Sequence, residues 1–219
     1  MHHNGVYGLK NNKFFLCLLV YSWSFLVIGV SVYYSYRGMV LAGVILPILI
    51  YLKYADKKKP LSYLLLSGQF SFTGFALGLL FGTVIVGTTA LRAALTNSGS
   101  LYLMWPWEDL ASIVLGASLT EEILFRGFLL QNFLGLLPFL QANILTSLMF
   151  TAVHLPTWLA DGLTGWEIYS NAAYIFIFSC LLGYVFCRSR SLWTPIVLHA
   201  ANNYSALAAL GFVYISPYL

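Results

Sequence analysis

Charge is what this chain has least of. Only 8% of its 219 residues are Asp, Glu, Lys or Arg, against 60% hydrophobic, whereas a soluble domain carries about 25% charged residues. With a mean hydropathy of +0.82, a water-soluble fold is excluded. Cysteine is also scarce: Cys17, Cys180 and Cys187 all fall in apolar stretches without metal-type spacing and read as small hydrophobes. No inverted internal repeat and no low-complexity tract is visible. The net charge of +4 does not imply nucleic acid as a partner, because the basic residues sit beside apolar runs, where they act as topology signals.

What the chain does have is long apolar runs, near residues 14–34, 38–52, 61–91, 110–137, 139–154, 168–187 and 192–214. Spans of about 20 residues would consume most of the length, leaving no room for a separate soluble domain. The alternation of a barrel strand is missing, and unpaired backbone groups are too costly in hydrocarbon, so every run is expected to be helical. The expected fold is all-α: a polytopic transmembrane helix bundle with about seven spans, six to eight. It forms one integral membrane domain over 1–219, with a motif-bearing core at about 110–214. The first run follows Lys10 and Lys13 in the manner of a signal peptide. It is longer than an h-region and no small-x-small cleavage site follows, so it reads as a retained span.

A cytoplasmic N-terminus places Lys10, Lys13, Lys53, Lys57, Lys58, Lys59, Arg188 and Arg190 inside, with Arg37 and Arg92 outside beside Glu108, Asp109, Asp161 and Glu167, as the positive-inside rule requires. The stretch DKKKP from Asp56 to Pro60 then reads as a cytoplasmic anchoring loop. Short loops and compact size point to a bacterial cytoplasmic membrane, with the lipid bilayer as the surrounding partner. Gly74, Gly78 and Gly82 recur every four residues on one helix face and predict close approach of a second helix.

Ionisable groups within a bilayer cost about 2.5 kcal/mol or more each, so each needs a partner or a purpose. Three strings carry them: TEEILFRG with Glu121, Glu122 and Arg126, FTAVHLP with His154, and LHAANN with His199 and Asn203. Neighbouring helix positions differ by about 100°, so Glu121 and Glu122 diverge, while Glu122 and Arg126 share a face at i and i+4. Arg126 is expected to neutralise Glu122 and leave Glu121 facing a polar cavity, although a guanidinium fork bridging both acids is also possible. His199 and Asn203 share the same spacing, about 6 Å apart, and read as a donor pair. Phe150 offers an aromatic wall one turn before His154, and Pro156 helps end that helix. A single intramembrane His is commonly a packing residue, and Glu with Arg can serve only to lock helices. Together these groups supply what hydrolysis needs: a base, an acid or polariser, and oxyanion donors.

The three strings resemble the motifs of the CPBP family, which includes CAAX prenyl endopeptidases and bacteriocin-processing or immunity proteins of the Abi type. Glu121, Glu122 and Arg126 fit its EExxxR motif, Phe150 and His154 its FxxxH motif, and His199 and Asn203 its HxxxN motif, in the family's order. The resemblance spans Glu121 to Asn203. It implies an intramembrane glutamic endopeptidase in which Glu121 and His154 activate water, His199 and Asn203 stabilise the oxyanion, and Glu122 and Arg126 support the site. The implied substrate is a membrane-associated peptide or protein, prenylated or not, and no cofactor is expected.

Zinc, with one Glu and two His as ligands, is a lesser alternative, because the pairing of two His on one helix in HExxH is missing. A catalytically inert scaffold or immunity protein of the same family is the competing function, and a proton-coupled transporter a more distant one. One point fits poorly. At about 1.5 Å per residue, Glu121 falls near mid-membrane, His154 towards the outer end of its span and His199 nearer the inner end of its own. A shared site therefore requires displaced boundaries or broken or tilted helices.

Overall fold

A computed structural model describes residues 3–34, 38–95 and 107–210. Among them every regular element is helical and no strand occurs, so the all-α expectation holds. In chain order the helices are α1 (His3–Tyr34), α2 (38–55), α3 (Pro60–Tyr63), α4 (Ser71–Leu95), α5 (107–134), α6 (Phe139–Ala152), α7 (Leu155–Ala160), α8 (Gly165–Ser189) and α9 (Trp193–Leu210). Helices α2 and α5 include stretches of wider i→i+5 hydrogen bonding, at Leu41–Ile45, Tyr51–Ala55, Leu110–Ala117 and Ile123–Leu130.

Among the described residues, three helical segments are long and apolar enough to cross a membrane: Asn12–Tyr34, Ser71–Arg92 and Gly165–Ser189, with mean hydropathies of 2.2, 1.9 and 1.6. Large apolar side chains point outward along them, among them Leu19, Leu26, Phe72, Leu80, Ile177 and Leu181. Such a surface is not tolerated in water and is that of an integral membrane protein. The helical runs follow the seven apolar stretches of the sequence, with one clear shift. The run expected at 61–91 is not a single helix: α3 ends at Tyr63, an irregular segment follows, and α4 begins at Ser71. Pro60 fixes the start of α3, and the left-handed backbone of Leu65 and Gly68 turns the chain before α4. The part of the last run beyond residue 210, together with Arg37, lies outside the described residues.

Helix α5 is the hub. It packs against α2, α6, α8 and α9, its C-terminal turn also meets α1, and every residue from Ile123 to Leu130 is buried. That stretch has no lipid-facing side, and a charged residue within it, Arg126, is therefore forced to find protein partners. On one flank α4 and α9 pack along their length through the Gly74, Gly78 and Gly82 face. Side chains on α9 and the turn before it occupy the space that a Cβ at each would need: Ser191 at Gly74, Val197 at Gly78 and Ala201 at Gly82. The Thr194 hydroxyl donates to the Gly74 carbonyl at 2.9 Å. Helix α6 meets α8 in a similar way, with the Asn143 amide donating to the Cys180 carbonyl at 3.0 Å.

Local signals set the ends of the helices near the site. Pro138 precedes α6, and Thr164 with Glu167 forms a capping box at the start of α8. Arg190 adopts a left-handed conformation just past α8, stopping it. The short 190–192 link is drawn into the bundle. Ser191 and Leu192 are fully buried, the Leu192 amide donates to the Leu65 carbonyl at 3.1 Å, and the Trp193 indole donates to the Leu66 carbonyl at 2.9 Å. At the same end Gln131 donates to the Tyr63 carbonyl at 2.9 Å, and the ring of Phe14 lies 5.7 Å from that of Phe133. Lys13, the Lys57–Lys59 run, Arg188 and Arg190 thus gather at one end of the bundle.

The glycine face carries a stability prediction. Gly78→Val places a branched side chain against Val197 and is expected to destabilise the protein by about 1–3 kcal/mol, the range for overpacking. Gly29→Ala, where nothing lies within 4 Å of the added carbon, is expected to leave stability unchanged. Reversible unfolding of both variants in mixed micelles checks this, and a parent-like Gly78→Val would contradict it.

Candidate active site

Glu121, Glu122 and Arg126 are presented by the middle of α5, Phe150 by α6, His154 by the turn between α6 and α7, and His199 and Asn203 by α9. The depth mismatch expected from the sequence is absorbed in two places. Helix α6 stops at Ala152, so His154 sits in a turn rather than on a continuing helix, and Pro156 occupies the first turn of α7. The sunken 190–192 link starts α9 inside the bundle, which raises His199 to the level of Glu121.

The sealed half of the cluster centres on Glu122, whose side chain is fully buried, and Arg126, 2% exposed. Arg126 Nη1 donates to Glu122 Oε1 at 2.8 Å, the i, i+4 pairing expected from the sequence. Arg126 Nη2 crosses to α8 and donates to the Ser179 carbonyl at 2.8 Å and to its hydroxyl at 2.7 Å. The guanidinium also lies over the Phe150 ring, 4.7 Å from its centre. Glu122 Oε1 accepts a second hydrogen bond from His199 Nδ1 at 2.8 Å. Glu122 Oε2, in contrast, is buried without a hydrogen-bond partner among the described residues.

The accessible half comprises Glu121 and His154, with side chains 20% and 23% exposed. Glu121 Oε2 lies 3.8 Å from His199 Nε2 and 4.0 Å from His154 Nε2, and it too lacks a hydrogen-bond partner. These separations exceed direct hydrogen bonding and suit a bridging water. His154 Nδ1 is 2.8 Å from the Phe150 carbonyl. A carbonyl only accepts, so Nδ1 carries a proton and Nε2 is directed at Glu121. In the same way the Glu122 carboxylate assigns a proton to His199 Nδ1 and directs its Nε2 at Glu121.

Aromatic rings wall the imidazoles. Phe150 lies 5.0 Å from His154 and 5.8 Å from His199, Trp158 lies 5.7 Å from His154, and Phe178 lies 5.9 Å from His199.

Glu121, Glu122, Arg126, Phe150, His154 and His199 therefore come together. Asn203 is placed differently from the donor pair expected with His199: its amide donates to the Ile113 carbonyl at 3.1 Å and to the Ser118 hydroxyl at 3.2 Å, tying α9 to α5. The side-chain nitrogen of Asn has two protons, and both are engaged. Two participants had no signal in the sequence. Ser179 lies 53 residues from Arg126 and is one small polar residue in an apolar span. Ser118, with no charge and no motif, is equally inconspicuous. Among the described residues no group of three His, Cys, Asp or Glu side chains is arranged to hold a metal ion.

Residues 103–205 match the family described as Type II CAAX prenyl endopeptidase Rce1-like. This segment, just under half of the chain, is similar to the CAAX-protease family. The matched stretch contains every clustered residue, so the protease-family segment and the convergent polar site are the same part of the chain. No curated protein and no solved structure gives a significant match to it.

The buried pair predicts a specific loss. Arg126→Met leaves the Glu122 carboxylate without its cation inside the bundle, at an expected cost of about 3–5 kcal/mol. The double variant Glu122→Met with Arg126→Met is expected to recover much of that loss. Unfolding free energies of the single and double variants in detergent check the coupling, and a single variant as stable as the parent would contradict it.

Proposed function

We propose that the protein is an intramembrane endopeptidase of the glutamic type, hydrolysing a peptide bond in a membrane-associated peptide or protein. The observation that carries this reading is the position of Glu121 Oε2. It is an unpartnered buried carboxylate oxygen within 3.8 and 4.0 Å of two imidazole Nε2 atoms, at the one accessible edge of a cluster whose other half is sealed. The protease family of the segment gives the reaction class.

In this mechanism a water between Glu121 and His154 donates a hydrogen bond to each and attacks the scissile carbonyl carbon as one of its protons passes to the Glu121 carboxylate. The carbonyl oxygen becomes an oxyanion facing His199 Nε2. His199 is placed to act as the electrophile, because the Glu122 carboxylate fixes its ring through Nδ1 and leaves Nε2 facing the site, where a proton on it would meet the oxyanion. The proton gathered on Glu121 is returned, directly or through His154, to the departing amide nitrogen, and the C–N bond breaks to give a carboxylate and an amine. Asn203, with its amide engaged on α5, positions α9; direct donation to the oxyanion requires it to release Ile113 and Ser118. No metal takes part in this scheme.

A bundle of about seven spans, lying in a bacterial cytoplasmic membrane with a cytoplasmic N-terminus, fits the gathering of basic groups at one end. The family's description names a prenylated C-terminal motif as substrate, and such a peptide is the first one to offer.

In vesicles carrying a prenylated CAAX-type peptide or an unprenylated leader peptide, cleavage of one by the parent protein is expected. Glu121→Gln and His154→Ala should each lower the rate by at least ~100-fold with folding retained, and chelator-treated protein should keep full activity. Cleavage at the parent rate by Glu121→Gln would reject the mechanism, and loss of activity on chelation restored by zinc would reject its metal-free character.

A further inference from the structure

Arg126 and Glu122 do not pair in the way an isolated guanidinium and carboxylate prefer. Two parallel N–H···O bonds, one to each carboxylate oxygen, are the strongest arrangement open to them. Here only Nη1 reaches the carboxylate, at Oε1, while Oε2 is buried and bare. The second amine is drawn to Ser179 on α8, where hydroxyl and carbonyl both accept from Nη2. Ser179 is itself 1% exposed, so this is an interior contact that solvent does not compete for. The same Oε1 that Nη1 uses also receives His199 Nδ1 at 2.8 Å. The chain of contacts runs from Ser179 to Arg126, to Glu122, to His199, and ends at the imidazole edge facing Glu121.

We infer that Ser179 is a positioning residue of the candidate active site. By occupying Arg126 Nη2, it keeps the guanidinium from gripping both carboxylate oxygens and so leaves Glu122 turned to orient His199. Without the Ser179 hydroxyl, a buried N–H loses an acceptor, a situation that costs free energy until a new partner is found. The unpartnered Oε2 belongs to the same carboxylate that Arg126 already touches. A swing of the guanidinium into a two-pronged grip would rotate the Glu122 carboxylate and draw its charge away from His199 Nδ1. The Ser179 backbone carbonyl remains in any variant, so the hydroxyl is the part that can be tested. The charged and titratable groups around His199 are Glu121, Glu122 and Arg126 from α5 and His154 from the α6–α7 turn. None of these would be altered by the substitution.

The inference rests on the peptidase reading for its kinetic consequence but not for its geometric one, and the test separates them. Three variants are compared in the full-length protein: Ser179→Ala, Ser179→Cys, which fills the same volume with a weak acceptor, and Ser179→Thr, which keeps the hydroxyl. With histidine labelled in nitrogen-15 and its signals assigned through a His199→Gln variant, the Nδ1 resonance of His199 is expected to move in Ala and Cys and to stay near the parent position in Thr. With the peptide cleaved by the parent, kcat is expected to fall about tenfold in Ala and Cys with KM within twofold, and Thr is expected to stay within threefold of the parent in both.

A parent-like His199 resonance in folded Ala or Cys overturns the inference, whatever the kinetics. Equal loss of activity in Ala, Cys and Thr with an unmoved resonance overturns it in favour of simple packing. A moved resonance in a protein that cleaves no peptide supports the positioning role while removing the peptidase reading.

Discussion

The buried pairing of Glu122 with Arg126 is the constraint from which the rest of the bundle's interior follows. A guanidinium and a carboxylate withdrawn from solvent at the centre of α5 are tolerated only where each charge is paired and hydrogen-bonded. Arg126 accordingly recruits α8 through Ser179 and α6 through the face of Phe150, and Glu122 recruits α9 through His199. One ion pair on one helix thereby fixes the relative placement of three others. The apolar contacts around it, from Phe125, Phe128 and Leu182 among others, supply the exclusion of water that makes these polar bonds strong.

This arrangement separates a sealed group of side chains from an accessible one. Residues with the largest burial hold the geometry, and the two with partial exposure face outward from it. Glu121 is adjacent in sequence to Glu122 but turned to another side of α5, as the angular step between consecutive helix residues requires. Two acidic residues side by side thus meet unlike surroundings, because one points into a sealed interior and the other towards an opening. The protease family of the 103–205 segment is consistent with such a division, and the residues before it contribute scaffold, chiefly through the α4 glycine face that clasps α9.

Much of this was legible in the sequence. Helices could be read from apolar runs because a bilayer admits few alternatives, and the pairing of Glu122 with Arg126 follows from an i, i+4 spacing. Close packing at Gly74, Gly78 and Gly82 was readable because a missing side chain every four residues has few other uses. What could not be read depends on the third dimension. The break between Tyr63 and Ser71 contains Ser67, Gly68 and Gln69, a short turn signal that is averaged away when the whole 61–91 run is read as one apolar stretch. That the Asn203 amide is engaged by Ile113 and by Ser118, 85 residues away, is decided by how α9 lies against α5. Ser179 is one unremarked hydroxyl until Arg126 is seen to need an acceptor on α8.

The turn that carries His154 distinguishes the two imidazoles in a further way. His154 takes its orientation from the carbonyl of Phe150, four residues earlier on the same strand of chain, whereas His199 takes its own from a carboxylate on another helix, 77 residues away. A rigid shift of α9 against α5 alters the heading of one ring and leaves the other unchanged. The cluster thus pairs a locally referenced imidazole with one whose heading depends on how α9 lies against α5.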